Sequence, residues 1–232
     1  MPIYSIPGFE EPFSCFSHLF SAPCFLIWGI YLIVRYRKHP GHLASLIALV
    51  TATVFLLSIS GVLHLLGEGS ARSVMRQLDI AGIFALIAAT ATAVHMTVFS
   101  GLLRWIPVIG VWIVAVTGIT LRTIFSESLP LAAGTGIFLV MGWGGVITFA
   151  LLWRRFGFPF VKFLLAGGIA YSLGAIVLML HAPSLIPGVI GPHELWHVAV
   201  LIGLGLHWLF VEACLERSLE LEKLAASSTV QS

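Results

Sequence analysis

Residues 191–211 read GPHELWHVAVLIGLGLHWLFV, and two features of this stretch decide what kind of molecule the chain makes. From Leu195 to Val211 it contains no Asp, Glu, Lys or Arg. With its opening turn it has the ~20 residues a helix needs to cross ~30 Å of hydrocarbon. Its first turns also spell His193-Glu194-Leu195-Trp196-His197, the letters of the zinc-protease pattern H-E-x-x-H. The stretch is either a membrane span with histidines at its mouth or a metalloprotease helix, and the rest of the chain chooses between them.

Composition chooses the membrane. Of 232 residues, 59% are hydrophobic and 9% charged, with a mean hydropathy of +1.03. Soluble domains carry about 25% charged residues, so no ordinary globular surface can be assembled here. Apolar runs at roughly 19–35, 43–66, 77–100, 102–121, 131–153 and 160–182 join the one at 193–214. The expected fold is therefore all-α, a polytopic membrane protein built as a seven-transmembrane-helix bundle. The runs are continuously apolar rather than alternating, which excludes a barrel. Only SGLLRW, with Arg104, separates the third run from the fourth. The first basic residue is Arg35, so no positive region precedes the first run, which is expected to be a retained span.

The chain reads as one seven-helix domain, 1–214, with a short leader 1–18. A charged tail, 215–232, starts helical and fades into small polar residues expected to be disordered. No nucleotide-binding glycine loop or nucleic-acid-binding patch is present, so membrane lipids rather than nucleic acid are the expected partners; no motif sets the oligomeric state. Cys15, Cys24 and Cys214 lack metal-binding spacing and are expected to be packed among helices. Arg35, Arg37, Lys38, Arg104, Arg154, Arg155, Lys162, Arg217 and Lys223 fall on one side of the membrane, against Arg72, Arg76 and Arg122 on the other. Positive-inside counting places the C-terminus in the cytoplasm and the N-terminus outside.

Ionisable side chains inside a bilayer are costly and commonly functional. Span two carries Ser60 and His64 near its exit, span three opens on RQLDIAGIF with Asp79 in its first turn, and span seven opens on His193 and His197. Successive helices run in opposite directions, so all five residues fall at one depth on the face that holds the N-terminus. Residues i and i+4 stack about 6 Å apart on one helix face, so His193 and His197 can reach a single ion. His64 makes a third imidazole, and three protein ligands with one open position is the catalytic form of a zinc site. Ser60 lies one turn deeper than His64, placed for a hydroxyl contact to water or to a substrate carbonyl. Asp79 is placed to take a proton or orient an imidazole. Each has a plainer reading as well: an interfacial histidine, or an aspartate favoured by the helix dipole.

The protease reading fails downstream. The extended motif would need glycine at Val200 and histidine at Gly203. His207 lies ten residues past His197, about 15 Å along the helix. Glu194 is rotated about 100° from His193, in a first turn where a carboxylate suits the dipole, and is read as structural. His39, His42, His95 and His207 are left outside the metal site, the first two in a basic loop suited to anionic headgroups.

The ordered set EEPFSCFSH (10–18), SISGVLH (58–64), QLDIAGIFALIAATAT (77–92) and HELWHVAVLIGLGLHW (193–208) resembles the hemolysin III branch of the progestin and adipoQ receptor (PAQR) family, which is related to the alkaline ceramidases. The family pattern is an acidic pair followed by Thr/Ser-His, then S-x-x-x-H, an Asp opening span three, and H-x-x-x-H. The resemblance covers essentially the whole chain. It implies Zn2+ held by His64, His193 and His197, with Ser60 and Asp79 as its catalytic partners. Glu10, Glu11 and His18 match the leader without a derivable role. Two departures are Ile80, where relatives often have His, and Thr92-Ala93 in place of Thr-Pro. The resemblance also conflicts with the charge count on topology, since the receptor branch places its N-terminus in the cytosol. The charge count is preferred here.

The expected activity is a zinc-dependent intramembrane hydrolase of a lipid amide (ceramide-like) or ester, in the inner (plasma) membrane of a bacterium. The alternative is a non-enzymatic membrane receptor or sensor in which zinc is a structural staple. A pore former is a third reading, for which no amphipathic channel-lining helix is evident.

Overall fold

The structure, a computed structural model, describes residues 9–125 and 131–230. Residues 1–8 of the leader and 231–232 of the tail lie outside the described residues. Among the described residues the elements are all α-helices: α1 (Pro12–Tyr36), α2 (Pro40–Leu65), α3 (Ser70–Val98), α4 (Leu102–Ile124), α5 (Leu131–Trp143), α6 (Val146–Phe156), α7 (Phe158–Leu180) and α8 (Pro192–Val230). Among the described residues, seven segments are long and apolar enough to span a membrane, with Gly136–Phe156 serving as the fifth. This is an integral membrane protein of seven apolar helices.

Local chemistry sets the helix ends. Pro12, Pro40 and Pro192 each open a helix, where the missing N–H would have no intrahelical partner. Between α3 and α4 the chain turns through Ser100 and Gly101, whose φ of +56° lies in the left-handed region that favours glycine. Arg104 does not break the run itself. It stands in the first turn of α4 and donates from Nε to Phe99 O at 2.8 Å, satisfying a carbonyl just past the end of α3.

Several helix boundaries differ from the apolar runs. The third helix starts at Ser70 rather than near 77, so Asp79 sits more than two turns inside α3 instead of in its first turn. The polar stretch SARSVMRQ extends the helix beyond the apolar run that marked it. The dipole reading of Asp79 is thereby removed, since that effect fades within the first turn. In the fifth span, Gly144 and Gly145 interrupt the helix between α5 and α6, with Gly145 N bonded to Gly142 O at 3.0 Å. α8 is continuous from Pro192 to Val230, so the charged residues after Leu215 extend the seventh helix.

α8 is the hub, packing along α7 and also against α1 and α3, while α2 packs between α1 and α3. Trp208, Phe210 and Val211 of α8 are fully buried with Leu32 and Tyr36 of α1 and Leu49 and Leu57 of α2. Trp208 Nε1 donates to Thr53 Oγ1 at 3.3 Å, joining α8 to α2 with the one polar atom that the ring brings into the core. By contrast Ile106, Ile109 and Ile113 of α4 and Leu173, Ile176 and Leu180 of α7 are exposed, as helices facing lipid require. The end of α2, the early turns of α3 and the start of α8 meet at one end of the bundle.

Candidate metal centre

At that end the rings of His64, His193 and His197 stand in mutual edge contact, with centroids 4.5 to 5.1 Å apart. One ligand atom from each lies within 4.8 Å of the others. His193 and His197 share a face of α8, and their Nε2 atoms are 3.1 Å apart. Tetrahedral zinc with Zn–N bonds of 2.0–2.1 Å needs nitrogens about 3.3 Å apart. The α8 pair therefore stands near that spacing, and His64 closes the triangle from α2. The all-imidazole donor set suits zinc among the common cations.

The outer contacts decide which nitrogens are free. His64 Nδ1 lies 2.6 Å from Glu11 Oε2. A carboxylate only accepts, so His64 carries its proton on Nδ1 and keeps the Nε2 lone pair for a cation. His197 Nδ1 is 2.9 Å from His18 Nε2, an arrangement that lets His197 donate from Nδ1 and direct Nε2 at the cluster. His18, His64 and His197 are all buried. His193 is the open member, with 43% of its side chain exposed, so the cluster can be reached from that side.

Glu11 is tied to the site twice, its N–H donating to His64 O at 3.0 Å and its carboxylate bonding His64 and Arg72. Its Oε2 also lies 3.3 Å from His193 Nε2. Burial alone would raise the Glu11 carboxyl, but the hydrogen bonds from His193 and His64 outweigh that and hold it below the usual carboxylate range. Ser60, one turn deeper than His64 and buried, hydrogen-bonds the partly buried Asp79 carboxylate.

Of the residues singled out from the sequence, His64, His193, His197, Ser60, Asp79, His18 and Glu11 are brought together. Glu10 is not: it is exposed, with its carboxylate beside Gly67. Glu194 accepts from Gly191 N at 2.9 Å, closing the first turn of α8 rather than facing the imidazoles. The histidines left outside the site have partners elsewhere. His95 bonds Leu103 O and Thr148 Oγ1, and His207 bonds Leu164 O. His39 pairs with Glu222 and His42 with Ser218 at the opposite end. Cys15 and Cys214 are buried free thiols, while Cys24 is exposed.

In the sequence Arg72 is one of three basic residues on this face and nothing more. Its guanidinium is buried in the cluster's outer shell. The available signal was its seven-residue spacing to Asp79, two helical turns along one face.

The family model described as Haemolysin-III related matches residues 8–208. The chain belongs to the haemolysin III-related family. Every member of the histidine cluster and its surroundings, from Glu11 to His197, lies inside the matched segment. Among the family's curated members, the chain is 29% identical over 177 residues to Hemolysin-3 of Bacillus cereus, covering 75% of this chain and 77% of that one. It is also 29% identical over 161 residues to the Hemolysin-3 homolog of Bacillus subtilis (strain 168), covering 67% and 72%. The family membership expected from the four ordered motifs is thus confirmed.

Proposed function

We propose that this chain is a zinc-dependent intramembrane hydrolase of a lipid amide, ceramide-like in chemistry, or of a lipid ester. The observation that carries the reading is the convergence of three imidazoles from α2 and α8 beside a Ser60–Asp79 pair, at the end of a lipid-embedded bundle. His64, His193 and His197 would hold the ion. Zinc so held supplies Lewis acidity, lowering the pKa of a water toward ~7 and polarising a carbonyl.

The chain's own groups do the rest. Asp79 is the proton acceptor, close to the cluster and oriented by Ser60. The single Ser60 O–H orients Asp79 in the resting site, and once Asp79 has taken a proton it is released to a developing oxyanion at the same depth. Glu11 and His18 hold two of the imidazoles in the tautomers that point lone pairs inward. The exposed edge of His193 leaves a path for a polar headgroup or product, while the exposed apolar faces of the helices let an acyl chain approach from the membrane. The site is proposed to face the outside of a bacterial plasma membrane, following the charge bias.

The test is fatty-acid release from ceramides, acyl amides and acyl esters by the purified chain in lipid nanodiscs, read by mass spectrometry. Hydrolysis should stop on chelation and return with zinc, and Asp79→Asn should lower it 10²–10⁴-fold. A sample holding one zinc per chain but releasing no fatty acid from any of the three lipid classes would overturn the hydrolase reading in favour of a sensor with a structural ion.

A further inference from the structure

We propose that Arg72 is a positioning residue of the metal centre, acting through Glu11 to fix the orientation and tautomer of the His64 imidazole. The inference rests on the zinc reading above and adds a residue that the ligand set does not contain. Arg72 lies in the first turn of α3, near the end of the bundle where water is close, yet only 6% of it is exposed. Burying a guanidinium is costly unless most of its donors find partners.

The hydrogen bonds of the two Nη atoms of Arg72 converge on the His64 turn, while its buried Nε has no hydrogen-bond partner. Nη2 donates to Glu11 Oε1 at 2.6 Å, and Nη1 donates to Leu63 O at 3.4 Å and to Leu66 O. Leu63 and Leu66 flank His64, and their carbonyls end α2 without continuing helical partners. The arginine thus grips the His64 backbone on both sides of the ligand. Through the carboxylate it also grips the ring, because the second oxygen of Glu11 receives His64 Nδ1. Glu11 N–H completes the clamp by donating to His64 O.

The arrangement needs a fork. One guanidinium spans two carbonyls and a carboxylate at fixed angles, whereas a lysine ammonium is a single mobile point charge. Without Arg72, Glu11 Oε1 would lose its anchor, the carboxylate would hold His64 Nδ1 less firmly, and the Nε2 lone pair would be held less strictly toward α8. Glu68, the other acid near Arg72 at 3.7 Å, is largely exposed and cannot substitute for Glu11.

Two measurements on the full-length purified chain test this. The first is zinc affinity by chelator competition for wild type, Arg72→Met, Glu11→Gln and the double variant. Outer partners of metal ligands are each worth 10–100-fold in affinity. Arg72→Met and Glu11→Gln should each weaken binding by that factor, and the double variant should be no weaker than the worse single one, because one acts through the other. Arg72→Lys should recover only part of the loss. Zinc affinity of Arg72→Met within twofold of wild type, or losses that multiply in the double variant, would overturn the proposal. The second measurement needs no metal: nitrogen NMR of histidine-labelled zinc-free protein should show His64 protonated on Nδ1 in wild type and a mixture of tautomers in Arg72→Met. An unchanged tautomer would also overturn it. If Arg72→Met does not yield a monodisperse sample, Glu11→Gln and Arg72→Lys carry both comparisons. A wild type that binds no zinc but shows the tautomer change would sink the hydrolase reading and leave the Arg72–Glu11–His64 relay standing.

Discussion

A histidine becomes a ligand when something else takes its second nitrogen, and three histidines of this chain differ in that respect. His64 and His197 have their Nδ1 atoms engaged by Glu11 and His18, while His193 Nε2 meets the cluster directly. Replacing His64 or His197 with alanine should abolish stoichiometric zinc in purified protein, whereas His207→Ala should retain it, as measured by plasma mass spectrometry. Glu194→Ala should also keep zinc and any hydrolase activity, and should weaken only the start of α8, by about 0.5–2 kcal/mol for a lost cap. That outcome separates the arrangement from a protease, where the same residue would be the general base. Because imidazoles must shed protons to bind a cation, zinc retention should decline as pH falls, which dialysis across a pH series would show. The i,i+4 pair and the shared depth of His64 made the histidine cluster legible in the sequence. Arg72 was not legible, because a cation between two spans looks like any other topological charge. Glu11 and His18 were visible only through a family pattern, since nothing in their spacing says which helix end they will meet.

At the scale of elements, apolar run length sufficed to count the helices, but polar turns hid where they begin. α1 and α3 both start several residues before their apolar runs, which brings Glu11, His18 and Arg72 up to the end that holds the histidine cluster. The interruption of the fifth span at Gly144 and Gly145 was likewise invisible to a hydropathy count. The α7–α8 contact follows from small residues: a Cβ on Gly203 would lie 2.7 Å from the Tyr171 ring, and one on Gly174 would collide with the Ala199 side chain. Gly203→Leu should therefore force the two helices apart, lowering stability by roughly 1–3 kcal/mol for an overpacked contact. A thermal melt in detergent reads this. Because α8 carries two of the three proposed ligands, the same variant should weaken zinc binding without touching the site.

For the whole molecule, the site lies at one end of a bundle whose opposite end is laced by Arg35 to Glu212 and Glu216 and by His39 to Glu222. The basic bias belongs to that opposite end, so reporter fusions should show a cytoplasmic C-terminus, with alkaline phosphatase inactive and green fluorescent protein bright there. The reverse pattern would place the histidines on the cytoplasmic face while leaving their chemistry unchanged. What joins the three scales is the closure of imidazoles from α2 and α8 around one cation. Zinc-edge X-ray absorption on the purified chain addresses it most directly. Three imidazoles should appear in the first coordination shell at about 2.0–2.1 Å, with no sulfur, and the signal should collapse in His64→Ala. A first shell containing thiolate, or one unchanged by the loss of His64, would contradict it.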